Sequence, residues 1–248
     1  MTDSLGFRSK FGVIAPSTNT SVQPEYDAMA PYGVTNHFSR AIIADTRVTD
    51  DNSFMQMLNN IRASTEDAID AVMSCGPDHL IMGMSAETFW DGKGGSEKLK
   101  DKLEKRAGVG VTMGSEACLA ALETYGNIKR IAVVSPYMPV GDENVKKFFE
   151  DCGIDVVRIK GLKCASPQLI AHVSKQELKQ ALIELDGEDI DAIVQAGTNL
   201  AMAELAGIAE FWLEKPVIAI NTATYWFALR QNGINDKVNG FGKLLAEF

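Results

Sequence analysis

Four times along the chain, a helix-forming stretch closes on a glycine and opens a few residues later into an apolar run. The four phrases are SCGPDHLIMGM (74–84), TYGNIKRIAVVS (124–135), DCGIDVVRIKGL (151–162) and DGEDIDAIVQA (186–196). Glycine just past a helix takes up the left-handed conformation that ends it. Runs of Val and Ile without polar alternation suit strands buried on both faces. A chain that alternates helix and strand in this way makes an α/β fold with a mainly parallel sheet covered by helices. Strands are expected near 11–15, 36–43, 78–83, 109–113, 130–135, 154–159, 191–196 and 216–220. Helices are expected near 20–29, 52–74, 96–106, 115–125, 141–152, 174–185, 200–212 and 222–231. In the second of these, Phe54, Met57, Leu58, Ile61, Ala68, Ile69 and Val72 recur at close to the 3.6-residue period of a buried helix face.

The plan is also written twice. KFGVIAPSTNT (10–20) and RIAVVSPYMPV (130–140) share a basic residue, an apolar strand and a proline at an offset of 120. VGVTMGSEACLAALETYG (109–126) aligns without a gap to PVIAINTATYWFALRQNG (216–233), and LIMGMS (80–85) matches AIVQAGT (192–198) to within one residue. Two similar Rossmann-like lobes related by a pseudo-twofold follow, with residues 1–113 and 222–248 in one and 114–221 in the other. Ligands of open α/β sheets lie beyond the carboxyl ends of the strands, so the expected site is the cleft between the lobes.

Composition narrows the chemistry. A net charge of −9 with no Lys/Arg run excludes a polyanionic partner such as nucleic acid. No apolar stretch approaches membrane-spanning length, and the N-terminal MTDSLGFRSK has no secretory apolar core. Cys75, Cys118, Cys152 and Cys164 are scattered without CxxC spacing, which fits reduced thiols in the cytoplasm. His37, His79 and His172 are isolated, so no metal is expected. Neither GxGxxG after a strand nor GxxxxGK[ST] occurs, so no nucleotide cofactor is expected. GKGG at 92–95 follows Phe89-Trp90 rather than a strand and reads as a mobile loop.

The strand-end turns hold the remaining candidates: Pro16, Ser17 and Asn19 in the first, Gly83, Met84 and Ser85 in the second, Tyr137 after Pro136, and Gly197, Thr198 and Asn199 in the last. Backbone N–H groups at helix starts favour an anion, and several such turns facing one another suit a small carboxylate. Ser, Thr and Asn also cap helices in any protein, so single occurrences mean little and the joint pattern carries the argument. Glu87 in SAETFW is an acid close to the Ser85 turn, either functional or an ordinary first-turn acid.

FGVIAPSTNT, LIMGMS, VVSPY, DAIVQAGTNL and the ending NGFGKLL (239–245), in this order over nearly the whole chain, resemble the arylmalonate decarboxylase and maleate cis–trans isomerase group. That group lies within the aspartate/glutamate/hydantoin racemase superfamily. The resemblance implies two four-stranded parallel lobes, a site between them, no cofactor and a homo-oligomer. It also implies a cysteine at one or both of the turns that match Gly83 and Gly197, where this sequence has none. Asn19 matches a carboxylate-contacting asparagine of the isomerases, while Ser85 and Tyr137 match hydroxyls of the decarboxylase oxyanion pocket. Met84 replaces a threonine there.

Without thiols, two-base racemisation and thiolate addition to a double bond lose their catalysts. Decarboxylation needs less: an apolar pocket that strips solvent from one carboxylate, and donors for the resulting enediolate. The expectation is a cofactor-independent carbon-acid lyase acting on a small carboxylate or dicarboxylate. Tyr137, Ser85 and Glu87 are its catalytic candidates, and Pro16, Ser17, Asn19, Gly83, Met84, Gly197, Thr198 and Asn199 line its substrate. The alternatives are an isomerase or racemase of the same superfamily, or a carboxylate-binding protein without activity.

Overall fold

Each of the eight expected strands forms. The computed structural model describes residues 3–248, so the first two residues of MTDSLGFRSK lie outside the description. The order is β1 (Ser9–Pro16), α1 (Val22–Met29), β2 (Val34–Ala41), α2 (Asp51–Met73), β3 (His79–Met82), α3 (Gly92–Ala107), β4 (Val111–Thr112) and α4 (Gly114–Tyr125). It continues with β5 (Arg130–Ser135), α5 (Pro139–Asp151), β6 (Asp155–Gly161), α6 (Lys175–Leu185), β7 (Ala192–Gln195), α7 (Ala203–Leu213), β8 (Val217–Ala219), α8 (Ile220–Gln231) and α9 (Lys243–Glu247). Single 3-10 turns lie at Ala86–Phe89 and Leu169–His172.

The strands make two four-stranded parallel sheets, β2-β1-β3-β4 and β6-β5-β7-β8. Both have the same order, so the sequence repeats superimpose on β1 with β5, β3 with β7, and β4–α4 with β8–α8. The central runs Leu80–Met82, Ile131–Val134 and Ala192–Val194 are buried on both faces, as continuous apolar strands require. A large apolar core spans both sheets beneath α2, α4, α5 and α8, and a smaller one lies between the second sheet, α6 and α7.

Helix α8 follows the second sheet but returns to the first. Tyr225 packs edge-on against Phe11 and beside Tyr26, and Gln231 Oε1 accepts from Thr112 Oγ1 at 2.5 Å. The NGFGKLL ending brings Gly242 against α7, where a side chain at Gly207 would overlap the Gly242 backbone. Glu210 Oε2 accepts from Lys243 N–H at 2.8 Å, fixing that ending.

Two local expectations are corrected. GKGG is the first turn of α3, not a mobile loop: it wraps so tightly that a Cβ at Gly95 would overlap the Trp90 carbonyl. Of the four phrase glycines, Gly76, Gly126 and Gly153 have positive φ, but Gly187 does not, because α6 ends instead on Asp186 in an extended conformation.

Candidate active site

Strand register brings the four turns together. Ile14 pairs with Met82 and Val134 with Gln195, so β1 and β3 end side by side, as do β5 and β7. Gly83 N–H donates to Ile14 O at 2.7 Å, and Ala196 N–H donates to Val134 O at 2.9 Å. Ile14 and Val134 are equivalent at the offset of 120, so Gly83 corresponds to Ala196, one residue before Gly197. Ser85 then corresponds to Thr198. The two hydroxyl residues occupy related places at the ends of the two sheets.

Asn19 caps α1 from outside the helix, its Oδ1 accepting from Ser21 and Val22 N–H at 3.0 Å. That fixes its amide to reach across to the other sheet, where Nδ2 donates to Thr198 Oγ1 at 3.0 Å. Thr198 Oγ1 donates in turn to Gly83 O at 3.1 Å. Gly197 holds φ at +101°, a conformation suited to glycine, and it aims Thr198 N–H at Ser85 Oγ, 3.1 Å away. Ser85 Oγ lies 2.6 Å from Tyr137 OH. Asn221, in the first turn of α8, donates to both Thr198 O (2.9 Å) and Glu25 Oε2 (2.6 Å). Burial pushes the Glu25 carboxyl above its ordinary value.

Asn19, Ser85, Tyr137, Gly197 and Thr198 line a cavity of about 60 Å³. Its lining is otherwise largely apolar, with Ile43, Met57, Leu58, Ile61, Met84 and Ile170. Segments from the two halves, which supply Ile43, Pro167 and Ile170 to the lining, are joined to each other. Val48 N–H donates to Ala165 O at 2.7 Å and Gln168 N–H donates to Asp45 Oδ1 at 3.0 Å.

Proton accounting shows what the lining can offer. One hydrogen of the Ser85–Tyr137 pair lies in their shared bond, which leaves one hydroxyl hydrogen for a guest. Asn19 Nδ2 likewise has a second hydrogen without a protein acceptor among the described residues. Asn199 is fully engaged: Oδ1 accepts from Thr20 (3.0 Å) and Ser21 (3.3 Å), and Nδ2 donates to Pro167 O (2.9 Å) and Thr18 O (3.4 Å). Tyr137 is only 4% exposed and packs edge-on against Phe54. Burial raises its phenol well above the ordinary value, against the opposing effect of the Ser85 hydrogen bond, so at neutral pH it is a donor.

Of the residues singled out from sequence, Pro16, Asn19, Met84, Ser85, Glu87, Tyr137, Gly197, Thr198 and Asn199 line the cavity, while Ser17 and Gly83 do not. Ser17 Oγ turns outward and is closed in a pair of bonds with the Ile43 backbone. Gly83 contributes its carbonyl from behind. Both Glu87 oxygens accept from Arg62 Nε at 2.9 Å, and Arg62 lies over the Trp90 ring. The apolar lining from α2 and the Pro167–Ile170 turn was not identified from sequence as part of a site. The only signal was the helical stripe, which reads as core.

None of the four cysteines lines the cavity. Burial raises the Cys118 thiol strongly and pushes Cys164 up to about 11. Among the described residues, no three His, Cys, Asp or Glu side chains gather in a way that holds a metal, and no helix is long and apolar enough to cross a membrane.

The family model described as arylmalonate decarboxylase matches residues 11–245. The maleate isomerase of Pseudomonas putida is 23% identical over 246 residues, covering 96% of this chain and 97% of its own. Among solved structures, the Nocardia farcinica maleate cis–trans isomerase, in a mutant with a covalently bound succinylcysteine intermediate, has a TM-score of 0.86. It is 20% identical, with 97% of this chain and 99% of that chain covered. An arylmalonate decarboxylase structure has a TM-score of 0.76 at 19% identity, with 95% and 98% covered.

Proposed function

This chain belongs to the arylmalonate decarboxylase family, and from that premise we propose that it is a cofactor-independent carbon-acid lyase acting on a small dicarboxylate. One observation carries the reading: the cavity is lined both by neutral hydrogen-bond donors and by aliphatic side chains, with no cysteine among them. A substrate with two carboxylates on one carbon fits this division. One is held by Asn19 and the Ser85–Tyr137 pair, and the other is pressed against Ile43, Met57, Leu58 and Ile61, where it loses hydration.

In the reaction, the C–C bond to the desolvated carboxylate breaks and carbon dioxide leaves. The electron pair passes into the retained carboxylate as an enediolate. Tyr137 OH donates one proton to the α-carbon and recovers one through Ser85 or from water. Each well-placed oxyanion donor is typically worth about 2.7–4 kcal/mol, so the two donors left free here lower the barrier substantially.

The second reading is an isomerase or racemase. It is favoured by the maleate isomerases, which are similar to this chain over nearly its whole length. The succinylcysteine of the Nocardia enzyme needs a thiol at the substrate, so here such an outcome proceeds by proton transfer instead. Proton NMR in D₂O over a panel of malonates, aryl-substituted malonates, maleate, aspartate and hydantoins separates the readings. Carbon dioxide loss with one deuteron incorporated, slowed by about 10²–10³ in Tyr137→Phe, supports the lyase. Exchange or cis–trans conversion without carbon loss supports the isomerase. Line broadening with no turnover discards both in favour of a binding protein.

A further inference from the structure

Behind Tyr137, away from the cavity, lies a second polar pair. Ser135, the last residue of β5, is fully buried. Its Oγ accepts from Tyr137 N–H at 3.1 Å and donates to Asp142 Oδ1. Asp142 stands in the first turn of α5, and Gly161 of β6 makes room for its other oxygen: a Cβ at Gly161 would overlap Asp142 Oδ2. The carboxylate has no ion pair among the described residues. The charged groups facing it are Lys163 from the segment after β6, Asp51 at the start of α2 and Glu143 on α5 itself.

We propose that Asp142 is a positioning residue for Tyr137, holding its backbone through Ser135 and releasing that hold on protonation. The chemistry of the pair gives the reason. An ionised carboxylate only accepts, so the Ser135 hydroxyl must donate to it and keep its lone pairs for Tyr137 N–H. A carboxyl protonated on Oδ1 donates to Ser135 Oγ instead and shares that oxygen with Tyr137 N–H, which weakens the hold. The side chain is poised for the change: burial pushes Asp142 up to about 6, partly opposed by the Ser135 hydrogen bond and Lys163, and reinforced by Asp51 and Glu143. The phenol that meets Ser85 is carried on that same backbone.

The inference rests on Tyr137 serving the site as proposed above, but it can be tested without turnover. Protein labelled with ¹³Cζ-tyrosine has five tyrosine signals, and Tyr137→Phe assigns the one of interest. In the wild type this signal should shift with an inflection near pH 6 while the phenol stays protonated. The inflection should vanish in Asp142→Asn and in Ser135→Ala. On any carboxylate that is turned over, kcat should show the same acid limb. Ser135→Ala should flatten it and lower kcat about tenfold with KM held within about twofold, as expected for one lost positioning bond. Asp142→Asn should lose less, since its Oδ1 still accepts from Ser135. A Tyr137 signal without an inflection near pH 6, or one that persists in Asp142→Asn, overturns the proposal. If no carboxylate is turned over, the lyase reading fails, and the Tyr137 titration still decides this one.

Discussion

Gly197→Ala is the most direct test of how the site is built, because Gly197 sets the direction of Thr198 N–H. Its φ of +101° lies where residues with side chains are strained, at a cost of about 1–3 kcal/mol. A Cβ there would also stand 2.5 Å from Pro136 Cδ and 2.6 Å from its Cγ. The ring cannot rotate away, and overpacking of this kind adds about 1–3 kcal/mol. The expected loss is therefore roughly 2–6 kcal/mol, or a fall in Tm of roughly 4–24 °C for a chain of this size. Gly94→Ala is the control. It lies in the first turn of α3 with nothing within 4 Å of its Cβ, so the same change should be neutral or stabilise by up to about 1 kcal/mol. Urea titrations followed by tryptophan fluorescence measure both. If Gly197→Ala unfolds at the wild-type midpoint, the turn does not need glycine and the account of how Thr198 is aimed is wrong.

Two further substitutions separate chemistry from support among the donors that line the cavity. Tyr137→Phe keeps the packing on Phe54 and should lower kcat by about 10²–10³ with little change in the urea midpoint. Ser85→Ala should also lower kcat but unfold earlier by about 1–3 kcal/mol, because it leaves the buried Thr198 N–H without its acceptor; equal midpoints for the two variants would contradict the bond assigned to Ser85.

Much of this arrangement can be read from the sequence because its signals are local. The apolar runs and their closing glycines mark the strands, and the offset of 120 between KFGVIAPSTNT and RIAVVSPYMPV marks the two sheets before any contact is known. The register of β1 with β3 and of β5 with β7 is different. It fixes Ser85 and Thr198 as counterparts and moves the partner of Gly83 to Ala196, and a one-residue uncertainty in a sequence alignment cannot give that. The bond from Asn19 to Thr198 joins residues 179 positions apart, so no spacing rule announces it. The apolar lining is hidden for another reason. Periodicity says that Met57, Leu58 and Ile61 are turned inward, but not whether they meet other side chains or a cavity. Glu87 shows the same limit, since nothing in SAETFW reveals that Arg62 from α2 takes both of its oxygens.

Asn199 illustrates how the two sheets are held at the distance the cavity needs. Its carbonyl oxygen accepts from Thr20 and Ser21 on the first sheet's turn, while its amide donates to Thr18 O and to Pro167 O in the segment after β6. Asn199→Asp changes almost nothing in shape, yet it replaces the donating amide with an oxygen that faces two carbonyl oxygens. With the introduced carboxyl ionised, an unpaired charge is buried and two acceptors lose their donor, at a cost of about 3–5 kcal/mol. With it protonated, the hydroxyl can donate to Pro167 O and recover part of that loss. Its folded-state pKa is therefore raised above the unfolded value of about 3.9. As pH rises through this interval the unfolded chain gives up the proton first, so the folded state binds more protons and stability falls with pH. Urea midpoints for Asn199→Asp and wild type at about pH 5 and about pH 8 should show a deficit that grows toward the higher pH. A deficit of the same size at both would mean that the introduced carboxyl escapes to solvent, and that the Asn199 amide is not the clamp between the two sheets.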